Sequence, residues 1–213
     1  MAGKRSKEEI MAERLENTAR RTEALEAEGY HAENATVSIV KANVMAFVIA
    51  VPFFAVFLIL FSVLHSVNAI FEGVNGLLRS FLLLGAMGLS IPIHEGFHGL
   101  GWVMFCKDKW QSIQFGMMWE SLTPYCHCRE PLSVGQYYIG LLLPCTILGW
   151  IPCIAAVISG SGFWLAFGLF SILLAGGDLT IACIIAKYLG KDVKILDHPN
   201  ECGAVAFTRA AAA

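Results

Sequence analysis

Charged residues are scarce in this sequence, and the scarcity is uneven. Of its 213 residues, 56% are hydrophobic and 15% are charged, where a soluble domain usually carries about a quarter. Residues 1–41 hold seven of the fifteen Lys/Arg and eight of the seventeen Asp/Glu, whereas the stretch from Pro131 to Gly177 holds none of these. A soluble core helix has no need of so long an uncharged run; it is long enough for two bilayer crossings of about 20 residues each. A basic stripe is also missing, which with a formal net charge of −2 argues against nucleic acid as a partner. No secretory signal is expected, because the first forty residues are polar and the first apolar run is too long for an h-region. Nor is there a cysteine framework. Cys106, Cys126, Cys128, Cys145, Cys153, Cys183 and Cys202 are odd in number and irregular in spacing, and read as free thiols.

What remains describes an α-helical integral membrane protein of about four transmembrane helices, with a small β-hairpin at the cytosolic surface. Residues 1–41 form a charged cytosolic segment, 42–190 a four-span core with a loop at 106–130, and 191–213 a cytosolic tail. In the first segment, residues 6–28 read as a solvated helix, with Ser6 and Glu9 as a capping box and Gly29 as the stop; Met11, Leu15 and Leu25 are too interrupted by threonine for a coiled coil. The spans are expected near 43–64, 77–105, 136–158 and 163–187, the last two joined by the short turn Ser159-Gly160-Ser161-Gly162. Placing both termini in the cytosol puts fourteen Lys/Arg inside and leaves Arg79 alone outside, which the positive-inside rule favours. The alternation of Ile113, Phe115 and Met117, then Leu122, with Gly116 and Pro124 nearby, suits a hairpin or an irregular amphipathic loop.

The chemistry centres on His94-Glu95-Gly96-Phe97-His98 in the second span. Two histidines four residues apart on a helix point the same way and can grip one ion, and Glu95 can reach a metal-bound water as general base. The plainer alternative is a helix that carries two histidines by coincidence. Against it, ionisable groups inside a span are costly and usually face a functional interior. The spans hold one other carboxylate, Asp178, which falls at the depth of His94 under the expected topology; otherwise it is protonated or paired elsewhere. Zinc suits two imidazoles and one carboxylate, with the fourth position left for water. Pro92 is expected to kink the second span or to start a new helix with Ser90 near its cap. Gly176 and Gly177 would allow close approach or local unwinding of the fourth. Cys126-His127-Cys128 lacks zinc-knuckle spacing, and in a strand His127 points away from both cysteines. His198 reads as a turn residue of the tail, and His31 and His65 have no helpful neighbours.

Taken together, the motif at 94–98, Pro124-Tyr125-Cys126, Glu130-Pro131, Pro144, Gly177-Asp178 and Asp197-His198-Pro199 resemble the small "putative zincin peptidase" membrane proteins, distant and minimal relatives of the site-2 proteases. The likeness implies an intramembrane zinc endopeptidase of the cell membrane acting on transmembrane or membrane-associated protein substrates, with Glu95 catalytic and His94, His98 and Asp178 as ligands. It also implies that residues 110–128 pair with extended substrate by strand addition. The chain lacks the Asn-Pro-x-x-Asp-Gly surroundings and the PDZ domain of those proteases. Two other classes stay open at this point: a metal-binding or metal-transporting membrane protein, and an inactive membrane scaffold.

Overall fold

The computed structural model describes residues 7–118 and 123–209; Ser6 of the expected capping box, Leu122 and Ala210–Ala213 lie outside them. Helix α1 spans Lys7–Ala27 and ends as expected at Gly29, whose φ of +86° is open to glycine at no steric cost. Strand β1 (Tyr30–Val37) follows, then α2 (Ile39–Leu64), capped by the Ser38 hydroxyl, and the short α3 (Asn68–Val74). Next come α4 (Leu77–Val103), β2 (Ile113–Met118), β3 (Thr123–Cys128) and the two-residue β4 (Leu132–Ser133). Helix α5 (Val134–Pro144) starts on a Ser133–Gln136 capping box and runs through a π-helical turn, Cys145–Trp150, into α6 (Ile151–Ser159). The chain closes with α7 (Gly162–Leu174), α8 (Gly176–Ile185), β5 (Val193–Asp197) and β6 (Cys202–Arg209).

Among the described residues, three helical stretches are long and apolar enough to cross a membrane: Ile39–Leu64, Leu77–Val103 and Val134–Ser159. A fourth joins them if the pair Gly162–Leu174 and Gly176–Tyr188, bent by 49°, counts as one span. Only 17% of the most apolar window of α2 and of α4 is buried. Phe47, Val51, Ile59 and Val63 on the first and Leu78, Phe81 and Leu89 on the second point outward. Apolar faces of that extent call for lipid or protein cover, and they fit a multi-pass membrane protein. Pro92 corrects one expectation. Helix α4 is continuous through it, and Ser90 donates back to the Met87 carbonyl at 2.7 Å instead of capping a new helix.

The flanking segments hold strands that the sequence did not reveal. β1, β6, β5 and β4 form, in that order, one antiparallel sheet, with Tyr30 opposite Arg209 and Val37 opposite Cys202. One face (Val193, Ile195, Ala204, Ala206) joins the core with Trp102, Tyr137, Ile185 and Tyr188 at the helix ends. The other (Leu196, Val205, Phe207) receives Leu25 and Tyr30. Phe207 and Leu196 are fully buried there, each contributing roughly 2 kcal/mol by area removed from water. Helix α1 is therefore docked rather than fully solvated. The β2–β3 hairpin is present, pairing Ile113 with Cys128 and Phe115 with Cys126. Behind it, Glu130 pins the loop after α4 by accepting from the Lys107 and Asp108 N–H groups at 2.9 and 3.0 Å and from the Ser112 hydroxyl.

Candidate metal centre

Residues 94 and 98 lie one turn apart on α4, and both imidazoles are buried on the same side. Opposite them the bend at Ala175 ends α7 and restarts the chain as α8, with Asp178 in its first turn. A carboxylate there meets the positive end of the helix dipole. Gly176 makes the placement possible: a Cβ on it would lie 2.5 Å from the Ala46 Cβ, so α8 packs on α2 at glycine distance. His94 Nε2 stands 2.9 Å from Asp178 Oδ2, and His98 Nε2 stands 3.3 Å from Asp178 Oδ1. One ligand atom from each residue falls within 4.8 Å of the others, which among the described residues no other group of three or more His, Cys, Asp or Glu does.

The shell behind these ligands sets their orientation. Helices α4 and α5 touch glycine to glycine, since a Cβ on Gly101 would sit 2.5 Å from the Gly140 Cα. That contact brings the Gly140 carbonyl to 2.9 Å from His98 Nδ1. An N–H donated there leaves the Nε2 lone pair facing Asp178, the usual device for fixing a ligating imidazole. His98 stacks on Trp102 at 5.2 Å, Trp102 on Tyr137 at 5.3 Å, and the Trp102 indole N–H donates to the Tyr137 carbonyl at 3.0 Å. His94 Nδ1 is buried and has no hydrogen-bond partner among the described residues. Replacing Gly140 by Ala would drive a methyl into the Trp102 indole. We expect that variant to lower zinc affinity roughly ten- to a hundredfold by displacing the carbonyl behind His98, read by competition with a chromophoric chelator.

Two imidazole nitrogens and a carboxylate oxygen form a donor set that suits zinc. Atoms about 2.05 Å from one ion in tetrahedral array lie roughly 3.3 Å apart; the two histidine-to-aspartate distances here, 2.9 and 3.3 Å, match that spacing. Glu95 stands beside the group rather than in it, with its carboxylate in reach of the Cys126 backbone N–H.

The other candidates go elsewhere. Cys126 and Cys128 share the hairpin face turned to α4, where Ile113 and Phe115 lie against Gly99 and the Cys128 sulfur is 3.7 Å from that of Cys106. All seven cysteines are free. His127 points to the opposite face, its Nδ1 3.6 Å from Asp197 Oδ2. His198 accepts from the Glu201 N–H at 2.9 Å in the β5–β6 turn, and His65 contacts the Val157 carbonyl at 2.8 Å.

Asp197, which the sequence offers only within the motif Asp197-His198-Pro199, has a role of its own in the structure. It sits buried at the end of β5, accepting from the Cys128 N–H at 2.6 Å and from the Tyr137 hydroxyl. It thereby ties the sheet to the hairpin and to α5. The signal was slight: Val193 and Ile195 alternate inward, which makes Asp197 the next inward position of that strand. Burial pushes its carboxyl up to about 6, against the pull of the Tyr137 and Cys128 hydrogen bonds. Burial, helped by Arg14 and Arg129, pushes His127 down to about 3 and keeps it neutral. A carboxyl with a raised folded value lends stability that is complete below its unfolded value near 3.9 and is lost as pH rises through about 6. Thermal unfolding of wild type and Asp197→Asn across pH 4 to 7 should therefore show the wild type losing on the order of 3 kcal/mol relative to the variant. Parallel curves would contradict the assignment.

Residues 87–191, which include His94, Glu95, His98 and Asp178, match the family described as "Putative zincin peptidase". That description is of a zinc metallopeptidase, and it brings zinc with it as the cofactor. Comparison with curated proteins and with solved structures returned no match.

Proposed function

We propose, from the zincin match and the convergence of His94, His98 and Asp178, that the protein is an intramembrane zinc endopeptidase acting on transmembrane or membrane-associated proteins. The observation that carries this reading is that two apolar helices bring both buried imidazoles to one partly buried carboxylate, 84 positions from the first of them in sequence. Zinc held by the three residues would supply Lewis acidity, polarising water and the scissile carbonyl and stabilising the charge that develops on the carbonyl oxygen. Glu95, next to the first ligand, takes the proton of the attacking water and returns it to the leaving amine. The Cys126 backbone, on the hairpin face packed against α4, lies beside the Glu95 carboxylate. His98 is kept in its ligating tautomer by the Gly140 carbonyl.

The reading also assigns the surroundings. Both termini lie in the cytosol, so the α1–sheet–hairpin layer caps the cytosolic ends of the spans in the cell membrane. Extended substrate adds to the exposed edge of the hairpin, where backbone groups of a two-stranded ribbon remain open to pairing. The test is proteolysis by purified protein in detergent or liposomes of a reporter carrying a transmembrane segment. Chelation should abolish cleavage and stoichiometric zinc should restore it. Zinc flux across proteoliposomes without any proteolysis would favour a transporter instead, and protein that binds no zinc would favour a scaffold.

A further inference from the structure

Helix α1 is fastened in two different ways. Its C-terminal end is held by apolar packing, Leu25 with Tyr30, Leu196, Val205 and Phe207 of the sheet. Its N-terminal half instead grips the hairpin by polar contacts. Arg14 donates from Nε to the Gln114 side-chain oxygen at 2.8 Å, and its guanidinium lies 4.3 Å over the Tyr125 ring. Asn17 donates to the Arg129 carbonyl at 3.0 Å, and Glu13 pairs with the Arg129 guanidinium. Gln114 and Tyr125 share the hairpin face opposite the one turned to α4. The hairpin is thus sandwiched, with Phe115 and Ile113 on Gly99 below and Arg14 above.

A two-stranded ribbon is marginal by itself, so its position depends on what holds its two faces. That position matters at one point above all, because the face carrying Phe115 and Cys126 packs on Gly99, one helical turn after Glu95, and so brings the Cys126 backbone beside the Glu95 carboxylate. We propose that Arg14, by its contacts with Gln114 and Tyr125, is a positioning residue that holds the β2–β3 hairpin and its Cys126 N–H against Glu95. The inference rests on the peptidase reading for its effect on rate, but its structural half does not. Arg14 touches no reacting atom; it acts through the hairpin. The charge-rich α1 is then part of the working enzyme.

The experiment is hydrogen exchange on the full-length protein in detergent, followed by cleavage kinetics. In Arg14→Ala the amides of 113–118 and 123–128 should exchange at least about tenfold faster, as loss of one charged hydrogen bond and one cation–π contact implies. The amides of α4 should not change. Zinc content and melting temperature should match wild type, while kcat falls about tenfold, and Arg14→Lys, which retains a cation over Tyr125, should recover part of it. Gln114→Ala removes the hydrogen bond from the hairpin side and leaves the Tyr125 contact, so the double variant should be no worse than Arg14→Ala alone. Unchanged hairpin exchange in both single variants, faster exchange with unchanged kcat, or fully additive effects would each overturn the proposal. If wild type cleaves no reporter while hairpin exchange responds as described, the peptidase reading fails and the bracing contact stands.

Discussion

Replacing Glu95 by Gln should reduce cleavage of a membrane-embedded reporter by about two to four orders of magnitude, the usual contribution of a positioned general base. The amide keeps the size of the carboxylate and still offers an oxygen to the Cys126 N–H, so the hairpin should stay in place. It cannot take up a proton from water at neutral pH, and that is the step it is asked to supply. Glu95 stands outside the three-ligand group, so zinc content should equal that of wild type, and so should the melting temperature. The comparison separates the possible functions: a transporter or scaffold would tolerate the substitution, and a variant that still cuts at the wild-type rate would sink the assignment of Glu95.

The second large effect falls on the metal. Asp178→Ala removes one of the three proposed ligands and leaves two buried imidazoles facing a void. Loss of a residue behind a ligand costs ten- to a hundredfold in affinity, so loss of the ligand itself should exceed about a hundredfold. Purified Asp178→Ala protein should retain substoichiometric zinc after dialysis where wild type retains one equivalent. Cys128→Ser is the matching control. Cys128 faces Cys106 and the core, away from the three ligands, and its replacement should leave zinc content unchanged. Zinc loss in the cysteine variant with retention in Asp178→Ala would reverse the ligand assignment.

These residues differ in how plainly the sequence announced them. Helices α2, α4 and α5–α6 were legible because long runs without charge have few alternatives. The histidine pair follows from helical spacing, and Asp178 from depth: two spans running the same way bring their odd carboxylates to one level, and the structure places Asp178 2.9 Å from His94. The bend that puts Asp178 in the first turn of α8 was visible only as Gly176-Gly177, a pair equally consistent with plain close packing. The sheet was hidden for a physical reason. β1 reads Tyr30-His31-Ala32-Glu33-Asn34, mostly exposed and polar, because it lies at an edge and gains its place by pairing with β6 rather than by its own alternation. The role of Asp197 was hidden with it, since a buried carboxylate is recognised by its partners, and Tyr137 and Cys128 lie 60 and 69 positions away. Of the two expectations for Pro92, the new helix start does not occur, because an apolar helix held by its neighbours can absorb the loss of one N–H.

The central claim is that His94, His98 and Asp178 hold one zinc ion without help from cysteine. X-ray absorption at the zinc edge of the purified protein tests it most directly. The expected first shell contains nitrogen and oxygen alone, at about 2.0–2.2 Å, with imidazole scattering from two histidines. A sulfur shell at about 2.3 Å would bring Cys126 or Cys128 into the site and contradict the ligand set proposed here.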